Sequence, residues 1–212
     1  MIPRATLLLV AGLAAGRGLG AQVDSGARST VLVRAARLLA VRTGAMLTNQ
    51  AILIEGDRIK EVGPADAVAA HAGRDARVID LRNATVLPGL IDCHTHITAD
   101  PGDYYKQLFR MSPIDEAVRA HIFARRTLDA GFTTVRNVGA SEFIDVALRN
   151  AINEGVVAGP RMLVSTMPLS ATGGHGDVNG MSPYLHFDGF SGIANGVDQI
   201  REKIRFEVKY GA

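Results

Sequence analysis

Two histidines separated by one residue, His94 and His96, end the apolar stretch VLPGLIDCHTHI. In an extended chain alternate residues point to the same side, so the spacing places both imidazoles on one face. Imidazole nitrogen is a common ligand of zinc and similar divalent ions, and the pair predicts part of a metal site. The competing interpretation is that the imidazoles only satisfy backbone groups at a strand end. A catalytic zinc commonly takes three protein ligands, and this motif supplies two.

The residues beside the pair have alternative roles. Asp92 lies two positions before His94 and is expected on the same face, where its carboxylate could accept a hydrogen bond from an imidazole and orient it, or could cap the strand-end turn. Cys93 is expected on the opposite face, and we predict a buried, small apolar residue rather than a ligand. As the only cysteine it can form no internal disulfide, so the chain depends on packing.

A second candidate segment is the loop MPLSATGGHGDVNG, residues 167–180, which follows a predicted strand and contains His175. Long loops at strand ends often carry substrate contacts, so His175 is a candidate substrate-binding residue. The alternative is a flexible surface loop whose glycines merely interrupt regular structure. The other histidines, His71, His121 and His186, are expected to be structural or exposed.

The elements that position these residues fall into two regions. Residues 30–86 contain short runs rich in Val, Ile and Leu between turn signals, and predict a small all-β module with a hairpin about Gly56-Asp57. From residue 87 onward, strands near 86–92, 132–138 and 161–166 alternate with helices. Three helices are predicted: from Ser112 to Gly131, from Ser141 to near Gly155, and over 197–210. The apolar face of the first is expected to carry Ile114, Val118, Ile122 and Leu128.

Alternating strands and helices predict parallel strands joined by right-handed crossovers, and hence an α/β fold. Three strand-helix units are compatible with a small open sheet or with the front part of a (β/α)₈ barrel, which takes eight units in about 250 residues. His94 and His96 then lie at the carboxyl end of the first strand. That end is where barrel enzymes place their active sites.

The first residues have the pattern of a secretory signal peptide: a basic start, an apolar run of 11 residues (5–15), and small residues up to Ala21. A membrane anchor is the alternative, but the run is shorter than the roughly 20 residues that cross a bilayer. We therefore expect a signal at 1–21, a flexible lead-in at 22–29 and an exported, periplasmic or secreted, protein without a membrane span. The remaining chain is charge-balanced, lacks Trp, and carries no basic patch, which argues against a nucleic-acid partner.

The motif LPGLIDCHTH resembles the signature of the amidohydrolase superfamily at the end of its first barrel strand. The stretches DAGFTTVRNVG, GPRMLVST and TGGHGD resemble the imidazolonepropionase-like branch, which includes Xaa-Pro dipeptidases. The resemblance runs from about Thr30 to the last residue. One departure is Asn137, where the similar stretch usually has Asp; this is expected to alter polar contacts near the second strand end.

The resemblance implies a metal-dependent hydrolase that cleaves amide or peptide C–N bonds of dipeptides with metal-activated water. It implies a TIM barrel preceded by a small β-sandwich-like composite domain, with a divalent metal, zinc being expected, as one or two ions. His94 and His96 are the implied metal ligands, and His175 the implied substrate-loop residue. The family's lysine, further histidines and general-base aspartate belong to later strands, beyond Ala212.

We therefore expect the N-terminal part of a longer enzyme, with domains at 30–86 and 87–212, an incomplete barrel, and a full-length form that can be a homo-oligomer. Its partner would be a dipeptide or another small molecule. Two alternatives remain. The chain could be a non-catalytic remnant that binds metal weakly or pairs with another chain, or the enzyme could be a cyclic-amide hydrolase or deaminase of the same superfamily.

Overall fold

The computed structural model of the protein describes residues 29–185 and 192–212, which form two compact units divided between Leu87 and Pro88. The predicted signal peptide at 1–21, nearly all of the lead-in, and His186 lie outside the described residues. Within the described part of the chain, no helix is both long enough and apolar enough to cross a membrane.

Unit 1 is one four-stranded sheet that carries one helix. The sheet order is β3-β2-β1-β4, with β1 antiparallel to β2, β2 antiparallel to β3, and β1 parallel to β4. Its elements are β1 (Thr30–Ala40), β2 (Ala45–Glu55), β3 (Arg58–Pro64), α1 (Ala65–His71) and β4 (Arg77–Val86).

The hairpin predicted about Gly56-Asp57 is confirmed: Glu55 pairs with Arg58, and Gly56 adopts a left-handed backbone with φ of 62°. The prediction that this module is all-β is wrong, because α1 follows Pro64. The segment ADAVAAH is rich in helix-forming alanine, and Val68 is fully buried against the sheet core that includes Leu53. A short helix therefore covers one face of the sheet where a turn was expected.

Unit 2 has a mixed α/β fold with a three-stranded, wholly parallel sheet in the order β5-β6-β7. Gly89 precedes β5 and permits its close approach to β6, since a Cβ at Gly89 would lie 2.0 Å from Thr133 Oγ1. The elements are β5 (Leu90–Thr95), α2 (Tyr104–Arg110), α3 (Pro113–Asp129), β6 (Phe132–Asn137), α4 (Ile144–Asn153), β7 (Arg161–Val164) and α5 (Val197–Lys209).

Helix α3 begins as the sequence predicts and buries a different face. Ser112 and Asp115 form a complete capping box, with Pro113 at the first helical position. However, Ile114, Val118 and Ile122 are exposed, and the buried residues are alanines. Ala120 and Ala124 join Val135 of β6 and Met162 of β7 in the core of unit 2. The core selects the face whose small side chains allow the helix to approach the sheet closely.

Helix α4 begins at Ile144 rather than at Ser141. Glu142 and Phe143 adopt left-handed backbone angles, with φ of 45° and 58°, and so cannot belong to the helix. Within the helix, Leu148 is buried and Ile152 packs against the core of unit 2, whereas Ala147 is exposed. Asp145 is buried as well. The Phe143 ring packs against Phe206 of α5 and against Tyr210, the residue that follows this helix.

Candidate functional site

An open cavity of about 780 Å³ lies in unit 2 at the carboxyl ends of the three parallel strands. Its wall includes the end of β5, residues 138–142 after β6, and residues 167–170 after β7. His94, His96 and His175 all line it, so the structure brings together three of the four residues singled out from sequence. Asp92 does not line this cavity.

The two histidines stand beside an irregularity in β5. The strand ends at Thr95, further along than the predicted end at residue 92, so His94 belongs to the strand itself. Asp92 pairs with Val135 and Thr95 pairs with Asn137, so β5 advances three residues where β6 advances two. Such a bulge interrupts strict alternation and re-aims side chains, a device common beside active sites.

The imidazoles of His94 and His96 form an edge-to-face pair with ring centroids 5.5 Å apart and an interplanar angle of 74°. Two imidazoles that share a tetrahedral zinc, with Zn–N bonds of about 2.0–2.1 Å, have centroids roughly 5 Å apart. The observed separation therefore fits two ligands of one ion. In the described residues, no cluster of three or more His, Cys, Asp or Glu side chains is arranged to hold a metal, so the pair is a partial ligand set.

A backbone carbonyl fixes the ring of His96. Its Nδ1 lies 3.3 Å from the carbonyl oxygen of Gly139, and because a carbonyl only accepts, Nδ1 is the donor. The neutral ring therefore carries its proton on Nδ1 and leaves the Nε2 lone pair for a ligand. Metal-binding histidines commonly have this arrangement.

The carboxylate of Asp92 contacts the main chain beside the pair. Asp92 Oδ1 accepts a hydrogen bond from the backbone N–H of His94 at 3.0 Å. Of the two roles considered for Asp92 from the sequence, orienting an imidazole or capping the strand-end turn, this contact is the capping one. It braces the bulged segment and holds the backbone from which the His94 ring projects.

Cys93 is exposed, so the prediction that it is a buried apolar residue is wrong. It lies on β5, an edge strand of the sheet, where the neighbouring Ile91 is also exposed. The core helices pack on the face that carries Val135 and Met162, and they leave this part of β5 uncovered.

The loop after β7 is held by many hydrogen bonds. Ser170 pairs with Ile193 in an isolated bridge, and its hydroxyl accepts from the N–H of Gly176 at 3.2 Å. The Asp177 carboxylate accepts from the N–H groups of Gly173 and Val178, at 2.7 and 2.8 Å. These contacts give Asp177 a structural role and hold the backbone of the segment that presents the exposed His175 to the cavity.

The cavity wall also has apolar and acidic components that the sequence did not single out. The apolar part includes Leu108, Met111, Met167 and Leu169. Glu116, in the first turn of α3, adds a carboxyl group whose pKa is raised by burial, an effect opposed by a hydrogen bond from the Ser141 hydroxyl. A half-buried carboxyl on a cavity wall is a candidate for polar contact with a ligand.

Behind the cavity lies a buried polar network at the end of β6. Asn137 and Asp145 are both fully buried, and Asn137 Nδ2 lies 3.4 Å from Asp145 Oδ2. Burial raises the pKa of Asp145, while hydrogen bonds from Thr166, Asn137 and Val146 oppose the shift. In the sequence Asn137 stands out only as a departure from similar stretches, and Asp145 carries no functional signal, since a carboxylate in the first turn of a helix ordinarily complements the helix dipole at the surface.

Comparisons with known proteins agree with this geometry. The amidohydrolase family profile matches residues 85–212. An ochratoxinase of Aspergillus niger is 30% identical over 194 residues, covering 84% of this chain and 39% of that protein. An imidazolonepropionase of Rhizobium rhizogenes is 35% identical over 88 residues, covering 40% of this chain and 21% of that protein.

Among solved structures, a Xaa-Pro dipeptidase with methionine bound in its active site has a TM-score of 0.76 and 31% identity. The match covers 87% of this chain and 45% of that one. The chain thus spans less than half the length of these relatives. Since the family profile covers more than half of the chain, the chain belongs to the amidohydrolase family.

Proposed function

We propose that this chain contributes the first metal ligands and part of the substrate pocket of a metal-dependent hydrolase that cleaves C–N bonds of dipeptides. The observation that carries the proposal is the edge-to-face pair of His94 and His96 at the carboxyl ends of parallel strands, with Nδ1 of His96 committed to a backbone carbonyl. The similarity to a Xaa-Pro dipeptidase favours dipeptides among the amide substrates.

In this proposal His94 and His96 hold a divalent ion, zinc being the expected one. When bound, such an ion supplies Lewis-acid activation of a water molecule and of the scissile carbonyl. The Gly139 carbonyl keeps the His96 ring in the orientation that offers Nε2, and Asp92 holds the backbone of His94. Further ligands and the general base come from strands that follow these in the full-length enzyme.

The residues of the cavity wall have substrate-facing roles in this proposal. His175, on the tied loop after β7, contacts the substrate, and the apolar side chains of Met111 and Met167 exclude water around its side chain. A cavity of this size accommodates a dipeptide. Three strand-helix units with exposed apolar residues at both edge strands, Ile91 of β5 and Leu163 of β7, support an incomplete barrel that other strands close in the full-length protein.

We further propose that residues 30–86 and 87–212 are the two domains, and that residues 1–21 direct export. The last assignment rests on the basic start, the apolar run and the small residues before position 22. An assay of secretion of the full-length precursor, with and without these residues, tests it. Retention of both forms inside the cell would reject the export assignment.

The test of activity uses the full-length protein and three substrate groups: Xaa-Pro dipeptides, dipeptides without proline, and cyclic amides. We expect dipeptide hydrolysis that is abolished by chelation, restored by zinc, and lost in the His94→Ala variant. Hydrolysis that survives both chelation and His94→Ala would reject the proposed site. A matched His121→Ala variant, altered at an exposed histidine of α3, should retain activity.

Two alternatives have specific support. Similarity to an imidazolonepropionase favours a cyclic-amide substrate, and turnover confined to the cyclic amides would select that function. The described residues hold no complete metal cluster, which favours weak metal binding by this chain alone. A full-length protein without turnover on any group would select the non-catalytic alternative.

A further inference from the structure

Asn137, the last residue of β6, has no exposed surface, and its side chain bonds on opposite sides. Its Oδ1 accepts from the backbone N–H of Ile97 at 2.8 Å, and its Nδ2 donates to the carbonyl oxygen of Gly139 at 3.0 Å. A backbone N–H only donates and a carbonyl only accepts. The orientation of the amide is therefore fixed by its partners.

Both partners belong to the surroundings of His96. Ile97 is the next residue in the chain, so its N–H anchors the backbone that bears the imidazole. Gly139 offers one carbonyl oxygen with two lone pairs, and that oxygen accepts from both Asn137 Nδ2 and His96 Nδ1. One side chain thus holds the main chain after His96 and the acceptor of its ring.

An aspartate would not replace this amide. Asp145 Oδ2 lies 3.4 Å from Asn137 Nδ2 and also accepts from the N–H of Thr166 at 3.1 Å. A carboxylate at position 137 would direct an oxygen toward the Gly139 carbonyl and toward the buried Asp145. The asparagine amide, with an acceptor on one side and donors on the other, satisfies all these neighbours, and an ionised carboxylate does not.

We propose that Asn137 is a positioning residue for His96, fixing the neutral imidazole as the Nδ1–H tautomer and directing Nε2 into the cavity. Only the part of the inference that has Nε2 bind a metal ion rests on the proposed function. The state of the ring itself is a property of the metal-free protein. The fixed tautomer of His96 and the binding of a metal by its Nε2 can therefore be tested, and rejected, independently.

The test compares wild type with Asn137→Asp, which keeps the size and the acceptor for Ile97, replaces the Nδ2 donor with an oxygen, and adds a carboxyl group beside Asp145. Nitrogen-15 NMR of the metal-free full chain, at a pH where imidazole is neutral, reports the His96 tautomer. Competition with a chelator reports zinc affinity. We expect a predominant Nδ1–H form in wild type, a mixture of tautomers in Asn137→Asp, and zinc affinity lower by roughly 10- to 100-fold.

A matched control separates positioning from stability. Val135→Ala alters a fully buried residue of the same strand that has no polar side chain, so it should lower the melting temperature and leave the His96 tautomer unchanged. The same tautomer and zinc affinity in folded Asn137→Asp as in wild type would overturn the inference. If Asn137→Asp does not fold, Asn137→Ser carries the same comparison.

The outcomes also distinguish the two proposals. A tautomer that depends on Asn137 in a chain that binds no zinc supports the positioning role and counts against metal binding by this chain. Zinc that binds wild type and Asn137→Asp equally supports the metal site and overturns the positioning role.

Discussion

Gly139 lies directly against the imidazole of His96: a Cβ at this glycine would stand 3.1 Å from Cε1 and 3.2 Å from Nδ1 of the ring. Contacts this close are tighter than ordinary van der Waals packing, so any side chain at position 139 must displace the ring or the backbone. The same residue supplies the carbonyl that accepts the Nδ1 proton. Gly139 therefore both packs against the His96 ring and accepts its hydrogen bond.

Gly139→Ala should disturb the His96 ring. The added methyl group forces the imidazole away from its acceptor, at a cost of about 1–3 kcal/mol in the free energy of unfolding. We expect weaker zinc binding, measured by competition with a chelator, and a changed His96 resonance in NMR spectra. Gly73→Ala is the matched control, because a Cβ there has nothing within 4 Å. Equal zinc affinity in both variants would contradict the assigned contact.

Removing both imidazoles should lower the amount of zinc that the protein retains. We expect elemental analysis after extensive dialysis to find less metal in His94→Ala/His96→Ala than in wild type, because the variant has lost the paired nitrogens. His121→Ala removes an exposed imidazole of α3 and should retain the wild-type amount. Equal metal content in the double variant and wild type would place the ion elsewhere.

His175→Ala should weaken substrate binding in the full-length enzyme. His175 lines the cavity on a loop tied by Asp177 and Ser170, so its removal subtracts a contact without loosening the loop. We expect KM to rise while the melting temperature stays unchanged. Steady-state kinetics with a dipeptide substrate provide the measurement, and an unchanged KM and kcat would exclude His175 from the substrate contacts.

Two buried carboxyl groups should make stability depend on pH. Burial raises the pKa of Asp145 and of Glu207, so the folded chain retains these protons to higher pH than the unfolded chain does. Their contribution to the free energy of unfolding is fully present below the ordinary carboxyl range and is lost as pH rises through the raised values.

Asp145→Asn and Glu207→Gln should flatten that dependence while nearly preserving shape. Urea denaturation at several pH values checks this as the difference between wild type and each variant. The comparison also cancels exposed groups with the opposite behaviour, such as Asp115, whose pKa is lowered chiefly by the hydrogen bond from the Ser112 side chain. Parallel stability curves for wild type and both variants would refute the prediction.

The thiol of Cys93 should react with a thiol reagent in the folded protein, since the residue is exposed on an edge strand. We expect one thiol per chain to be labelled without denaturant, at a rate close to that in the unfolded chain. Cys93→Ser provides the blank. Labelling that requires denaturant would support the burial expected from the sequence instead.

Features encoded by neighbouring residues were predictable from the sequence. The Gly56-Asp57 hairpin and the Ser112-Asp115 capping box each depend on local backbone chemistry, and both form as expected. The approach of His94 and His96 follows likewise from a spacing of two residues, even though a bulge intervenes.

Features decided by distant packing were not predictable. The spacing of apolar residues in α3 predicts that Ile114, Val118 and Ile122 are buried. The alanines are buried instead, because their small side chains let the helix approach the sheet closely. The start of α4 depends on left-handed angles at Glu142 and Phe143. The Asn137 network joins residues up to 40 positions apart, which no local pattern encodes.

The parallel pairing of β1 with β4 sets the earliest point during synthesis at which unit 1 can be complete. Val31 pairs with Arg77, so the first sheet can close only after the ribosome has made a strand 46 positions later, and that strand ends at Val86. Unit 2 begins two residues further on. Closing such a loop is slow relative to forming the antiparallel hairpins, yet every strand of unit 1 has been synthesised before His94 is added. The nascent chain can therefore complete one unit before the histidine-bearing strand needs its neighbours.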